Sequence, residues 1–427
     1  MSNAFRGAAA VVTVGAVLTL AACGSSNDPS SSGSNSGSTS SVISTAGCPA
    51  SATTTLSGKT LTIGASGPLS GPAAAVGVIA GAMQAYFDYV NSLGGVQTVD
   101  GRKLLKLKIL DDQYVPSATL TNIQKEVQQD NIKVFAGIIG SANGDAVAPY
   151  LKSQCDPQIA PEGGPTVNTA DAWEDYAFAP YNTQGAAWAK YMEKYLPDDK
   201  TVAVLYQNDD VGIPTYHGFQ QAIAGTGIKI VAAQSYEPNA VDVSSQMTTL
   251  EASKASVFID ASFATSCTQS FADLAASSWR PLAMVDGSCG DLNISLAPKT
   301  AEGNLYGVEM LKSVKSPDYA HDPDVQLFDK WMAKEHLAAN DPTEDGWYGG
   351  ELVVKTLESA KQFTPAGIAA AAATLPDFTP GLMYPDVTVH GWHAGLPIID
   401  KFAIAKFDPA SGSFLAPVAT ITTKLGG

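Results

Sequence analysis

A chain of 427 residues, 45% hydrophobic and only 15% charged, can bury a large core, and its length suits more than one compact lobe. Its 41 acidic and 25 basic side chains leave a formal charge of -16, which argues against nucleic acid or an anionic membrane face as the main partner. Beyond residue 22 no apolar segment of spanning length occurs, so the chain is not by itself a channel or transporter.

Residues 1–7 carry one positive side chain, Arg6, and residues 8–20 form a nearly unbroken apolar run. That run is too short to span a bilayer and reads as the core of a signal peptide over 1–22. Leu20-Ala21-Ala22-Cys23 resembles the bacterial lipobox, in which the cysteine is lipidated and becomes the first mature residue. Cys23 is therefore the expected lipid anchor, holding the protein on the extracytoplasmic face of the cell membrane. Residues 24–45 are almost wholly Gly, Ser, Asn and Thr and cannot bury enough apolar surface to order themselves, so 23–55 reads as a flexible tether. The folded body begins near residue 56.

From there strands alternate with helices. A short apolar strand over 60–65 runs into the turn-rich Ser66-Gly67-Pro68-Leu69-Ser70-Gly71-Pro72. Val76, Ile79, Met83, Tyr86, Phe87 and Val90 then recur at helical spacing until Gly94-Gly95. Residues 104–110 alternate apolar side chains with Lys106 and Lys108 and meet Asp111-Asp112; a helix over 117–129 leads to a buried strand over 133–139. The unit recurs with strands at 201–206, 228–233, 256–261 and 282–286. Such alternation predicts an α/β fold of parallel sheets with right-handed crossovers, whose ligands sit beyond the carboxyl ends of the strands.

The strand over 133–139 ends at Gly140-Ser141-Ala142-Asn143-Gly144 and a helix follows through Leu151. Backbone N–H groups in its first turn lack partners, which makes Ser141 and Ala142 candidate ligand contacts, with the Ser141 hydroxyl a further donor or a simple helix cap.

With Cys23 set aside, four cysteines remain, an even number for an oxidising compartment. Cys267 and Cys289 each follow a predicted strand, and neighbouring strands lie close enough for a disulfide. Cys48 with Cys155 follows by elimination. No Cys-x-x-Cys supports a metal site, and His390 with His393 lacks a third ligand nearby. No metal or cofactor is expected. There is no Gly-x-Ser-x-Gly elbow, phosphate-binding loop or His-Glu-x-x-His helix, so the chain is not read as an enzyme.

Gly67-Pro68-Leu69-Ser70-Gly71, Gly94-Gly95 and Asp111-Asp112 resemble the opening of the branched-chain amino-acid type of periplasmic substrate-binding protein. Val202-Ala203-Val204-Leu205-Tyr206 with Asp210 and Gly212, then Asp242-Val243-Ser244-Ser245-Gln246 and Leu250, resemble that family's second lobe. The resemblance runs from about residue 59 to the C-terminus. It implies the type I periplasmic-binding fold: two doubly wound parallel-sheet lobes joined by a three-segment hinge and closing on a small ligand. The crossings fall near Tyr181, 305–309 and 381–386, giving lobe I as 56–180 plus 310–380 and lobe II as 181–309 plus 381–427.

By the same resemblance, Ser141 and the loop Pro161-Glu162-Gly163-Gly164 hold a ligand carboxylate. Val76 and Val211 stand where the amino-acid binders often carry tyrosine, and Asp286-Gly287-Ser288 replaces the stretch that brings them a glutamate. Asp286 or Glu162 is then the candidate charge for a ligand ammonium, with Phe263, Trp347 and Tyr348 as an apolar wall. The resemblance implies a monomeric solute-binding lipoprotein that hands an amino acid, amide or small carboxylate to ABC permease and ATPase subunits. A ligand-sensing lobe for a signalling partner is the alternative, and an extracytoplasmic hydrolase a remoter one.

Overall fold

The computed structural model describes residues 43–71, 73–164, 173–238, 240–297, 304–391 and 398–423. The signal peptide, Cys23 and most of the tether lie outside the described residues, as does His393.

The first sheet is built from β1 (Thr60–Gly67), β2 (Val96–Thr98), β3 (Gly101–Asp111), β4 (Phe135–Ala136), β5 (Gln158–Ile159) and β6 (Glu174–Asp175), in the order β2-β3-β1-β4-β5-β6. All pairs are parallel except the β2–β3 hairpin. Its helices are α1 (Val78–Ser92), α2 (Pro116–Gln128) and α3 (Ser141–Gln154).

Regular pairing is shorter than the apolar run over 133–139 predicts. Gly137 and Gly140 take positive φ of 62° and 101° and interrupt the extended backbone. Hydrogen bonding nevertheless continues to the end of the run, with Ile139 N donating to Ser66 O at 3.1 Å and Glu162 N donating to Ile138 O at 2.8 Å.

The second half of the chain supplies α4 (Tyr181–Tyr195), β7 (Thr201–Gln207), α5 (Gly212–Ala222), β8 (Lys229–Tyr236), α6 (Ser244–Ala252) and β9 (Val257–Ala261). It continues through α7 (Thr265–Ala276), β10 (Leu282–Asp286), α8 (Asp291–Ser295) and β11 (Leu305–Glu309). Strands β9 and β10 are buried at every residue, because helices cover both faces.

Helices α9 (Pro323–Lys334), α10 (Asp341–Ser359) and α11 (Pro365–Ala373) return to the first sheet's layer, where Trp347 of α10 meets Tyr86 of α1 edge-on at 4.8 Å between ring centres. The chain then closes the second sheet with β12 (Lys401–Asp408) and β13 (Ser413–Thr422), giving the order β13-β12-β11-β10-β9-β7-β8.

This C-terminal hairpin departs from an all-parallel expectation: β12 runs antiparallel to both β11 and β13. Its turn is held by the Asp408 carboxylate, which accepts from Ala410 N and Ser411 N, with Gly412 at φ 68°. The segments after β11 and before β12 lie side by side, Lys312 N donating to Leu382 O and Tyr384 N to Met310 O.

Both disulfides form in the expected pairing, Cys48–Cys155 and Cys267–Cys289, each with Cα atoms 5.7 Å apart. Cys267 sits in the first turn of α7 and Cys289 in the short turn after β10.

Candidate functional site

A cavity of about 180 Å³ opens where loops at the carboxyl ends of both sheets meet. The first sheet contributes Val76, Ile79, Tyr114, Ser141, Glu162 and Gly163. From the second come Tyr181, Gln184, Val211, Phe263 and Ser288, and Glu309 to Leu311 and the first turn of α10 close the remaining side.

Of the residues singled out in the sequence, Val76, Ser141, Glu162, Gly163, Val211 and Phe263 meet at this cavity. Ser141 is 4% exposed; its hydroxyl lies near that of Tyr181 but forms no hydrogen bond among the described residues. It does not act as the cap of α3: that position belongs to Gly140, and no side chain caps the helix. The Gly163 loop comes so near that a Cβ there would stand 2.6 Å from the Ser141 hydroxyl. Gly140 is equally constrained, because its φ is positive and a Cβ would stand 2.8 Å from the Tyr114 ring.

Ala142, Gly164, Asp286, Trp347 and Tyr348 lie outside the wall. Trp347 is 2% exposed and packs in the α1–α10 layer with Tyr86, Tyr89 and Phe328, where a large ring fills core space. Tyr348, named with it as wall, is fully buried and donates its hydroxyl to Ala177 O at 2.7 Å. Asp286 is also fully buried, its carboxylate turned onto Ser288 N at 3.0 Å. Burial, partly opposed by that bond, pushes its pKa up to about 7. Gly164 packs against Ala179 and the Tyr181 ring.

Ala142 is exposed, and the Asp210 carboxylate from the loop after β7 lies near its N–H. Asp210 has a raised pKa, through burial first and Asp209 next, and nearby backbone N–H groups work against the rise. A carboxylate of the protein itself therefore stands near the helix N-terminus expected to meet a ligand anion.

His390 lies between Asp377, 2.9 Å from Nδ1, and Asp400, 3.4 Å from Nε2. Among the described residues the one group with metal-ligand proximity is Asp260 with Cys267 and Cys289, whose thiols are tied up as a disulfide.

The sequence reading missed most of the wall's charge. Asp341, Glu344 and Asp345 occupy the first turns of α10, fixed by a capping box in which Asn340 and Thr343 bond each other's backbone N–H. The i, i+3, i+4 spacing of those three carboxyls was the available signal, since it places them on one helix face. Asp291 accepts from Phe414 N at 2.9 Å and from the Ser313 hydroxyl. Burial, then Asp341, raises its pKa to about 8; the same two causes raise Asp345 to about 8. Glu162, Glu309 and Glu344 are also held well above the usual range, by burial first and then by Asp345, Asp291 and Asp341 respectively.

Two layered α/β sheets whose strand ends share one cavity define the architecture of a type I solute-binding protein. The chain belongs to the periplasmic binding protein family, whose family model matches residues 60–407.

Among solved structures it resembles a branched-chain amino acid ABC transporter protein from Thermus thermophilus with bound valine. The TM-score is 0.73 at 17% identity, over 86% of this chain and 98% of that one. A fatty acid ABC transporter substrate-binding protein from Thermomonospora curvata matches at TM-score 0.70 and 17% identity, over 87% and 92% of the two chains. A substrate-binding periplasmic protein from Ralstonia solanacearum matches at 0.71 and 18%, over 82% and 98%. No curated protein matches by sequence. The family is extracytoplasmic, and no helix of the described residues is long and apolar enough to cross a membrane.

Proposed function

We propose that this chain is the lipid-anchored solute-binding subunit of an ABC importer, capturing a small polar or amphipathic solute between two lobes. Lobe I would comprise 56–180 with 310–380 and lobe II 181–309 with 381–427, the ligand drawing them together before delivery to membrane permease and ATPase subunits.

The observation that carries the reading is the cavity itself: it lies between the strand ends of both sheets and holds buried polar groups, Ser141 and Glu162, that have no hydrogen-bond partner among the described residues. Similar structures, one with bound valine and one of a fatty acid transporter's binding protein, support a small organic solute as the ligand. The solute's contacts would include Ser141, Gly163, Val211 and Phe263. Cys23 would carry the lipid, and no enzymatic step is assigned.

The test is a thermal-shift screen of the purified mature chain against amino acids, amines, amides and carboxylates, followed by small-angle scattering. A ligand at 100 times its dissociation constant raises stability by about 2.7 kcal/mol and should reduce the radius of gyration. Ser141→Ala should weaken a ligand that it contacts by about 1.5–3 kcal/mol if the partner group is charged. A library that produces neither stabilisation nor compaction would reject the binding role. Cys23→Ser should move the protein from the detergent phase to the aqueous phase, and unchanged partitioning would reject the lipid anchor.

A further inference from the structure

Six carboxyl groups, those of Glu162, Asp291, Glu309, Asp341, Glu344 and Asp345, line the cavity, and among the described residues no lysine, arginine or histidine does. They come from four separate places: the loop after β5, α8, the end of β11 and the start of α10. Three also serve the local backbone, since Asp291 accepts from Phe414 N, Asp341 from Leu292 N at 3.0 Å and Glu344 from Val314 N at 3.2 Å.

The rest of the charge has no such use. Glu162 is 5% exposed, and among the described residues neither of its oxygens has a hydrogen-bond partner; Oε1 of Glu309 is likewise buried and unpartnered. Independently of the acids, the buried Ser141 hydroxyl at the same wall is unpartnered too. Burying carboxyl groups in this way is costly unless they are protonated or meet a cation. Among the described residues the one lysine acting on the group is Lys315, an exposed residue beside Asp291 and Asp341.

Accepting the solute-binding role proposed for this cavity, we infer that its ligand is a small organic cation of net positive charge, an amine or guanidinium compound, and not a neutral amino acid or a carboxylate. A single metal ion fits poorly, because among the described residues no three of these carboxyl groups bring oxygens within 4.8 Å of one another. The charge is instead distributed: Glu162 has Asp345 as its acidic neighbour, while Asp291, Glu309 and Glu344 all feel Asp341. Val76, Ile79, Phe178, Val211 and Phe263 supply apolar surface for the hydrocarbon of such a ligand.

Calorimetry on the purified mature chain with agmatine, spermidine and arginine, against leucine, octanoate and calcium chloride, tests the inference. At least one cation should bind ten-fold or more tightly than leucine and octanoate, and its affinity should fall as salt is raised. Asp345→Asn and Glu162→Gln should each weaken that binding ten-fold or more without lowering the melting temperature of the empty protein. A merely structural role for these acids would lower that temperature instead.

Leucine or octanoate binding and compacting the protein while no cation binds would overturn the cation inference and leave the solute-binding role standing. Calcium binding that the cations do not compete would also overturn it. Absence of binding and compaction with every probe would remove the inference and weigh equally against the role on which it rests.

Discussion

At the scale of single residues, the cavity depends on positions where a side chain has no room. Gly140 joins the last residues of the β4 segment to α3 with a φ of 101°, against the face of Tyr114. Gly140→Ala should cost about 1–3 kcal/mol, the range for a strained backbone position, and chemical denaturation of the empty protein measures it. Gly163→Ala acts differently. Its Cβ would press on the Ser141 hydroxyl, so the loop must move and ligand affinity should fall several-fold. Titration of both glycine variants separates a folding defect from a site defect. Both glycines stand in plain view in the sequence, but their neighbours, Tyr114 and Ser141, arrive from elsewhere in the chain. Local patterning cannot show such a pairing.

At the scale of elements, the acidic start of α10 makes stability depend on pH. Asp345 and Asp291 titrate near 8 in the folded chain and near 4 when unfolded, so between those values the folded state binds more protons. Stability contributed by these groups is therefore greatest at low pH and is lost as pH rises from about 4 towards 8. The melting temperature of the empty protein should fall between pH 6 and pH 8, and Asp345→Asn should flatten that fall. The charged groups facing Asp345 and Asp291 are Asp341, Glu162, Glu309, Glu344 and Lys315, and holding ionic strength constant keeps their screening unchanged.

Element identity was largely legible. Strand 282–286 coincides with β10, and the helix over 117–129 is displaced by one residue from α2, because apolar periodicity reports burial directly. The C-terminal hairpin was not recognised, although Asp408-Pro409-Ala410-Ser411-Gly412 is a turn sequence and β13 alternates half-buried with exposed positions along most of its length. For the site, legibility was partial. Ser141 followed from a strand-to-helix junction, whereas Asp341, Glu344 and Asp345 read locally as acids favourable at any helix start. Their placement at the cavity is a property of the return of α10 to α1, which no local signal contains. Trp347 fails for the converse reason: a large aromatic looks the same in a ligand wall and in a core.

At the scale of the whole molecule, the Asp210 carboxylate in the loop after β7 lies near the Ala142 N–H at the start of α3. If lobe closure is the working motion, this attraction favours the closed arrangement even without solute. Asp210→Ala should then enlarge the empty protein's radius of gyration and weaken ligand binding, since a smaller closed fraction reduces apparent affinity in proportion. Scattering of the empty variant checks the first effect and calorimetry the second; equal radii for variant and parent would show that Asp210 has no influence on closure.

The Cys48–Cys155 bond bears on how the molecule takes load. It ties the chain near its first described residues to the end of α3, and Ile43, Ala52, Trp173 and Ala369 pack around it. Any pull transmitted along the segment before Cys48 therefore enters the protein at Cys155, in the layer of the first sheet. Neither β7 nor the loops that face the cavity from the second sheet carry that attachment. If the two lobes swing on their crossings as proposed, the half holding Cys155 is the mechanical ground and the other half moves free of whatever holds the N-terminus.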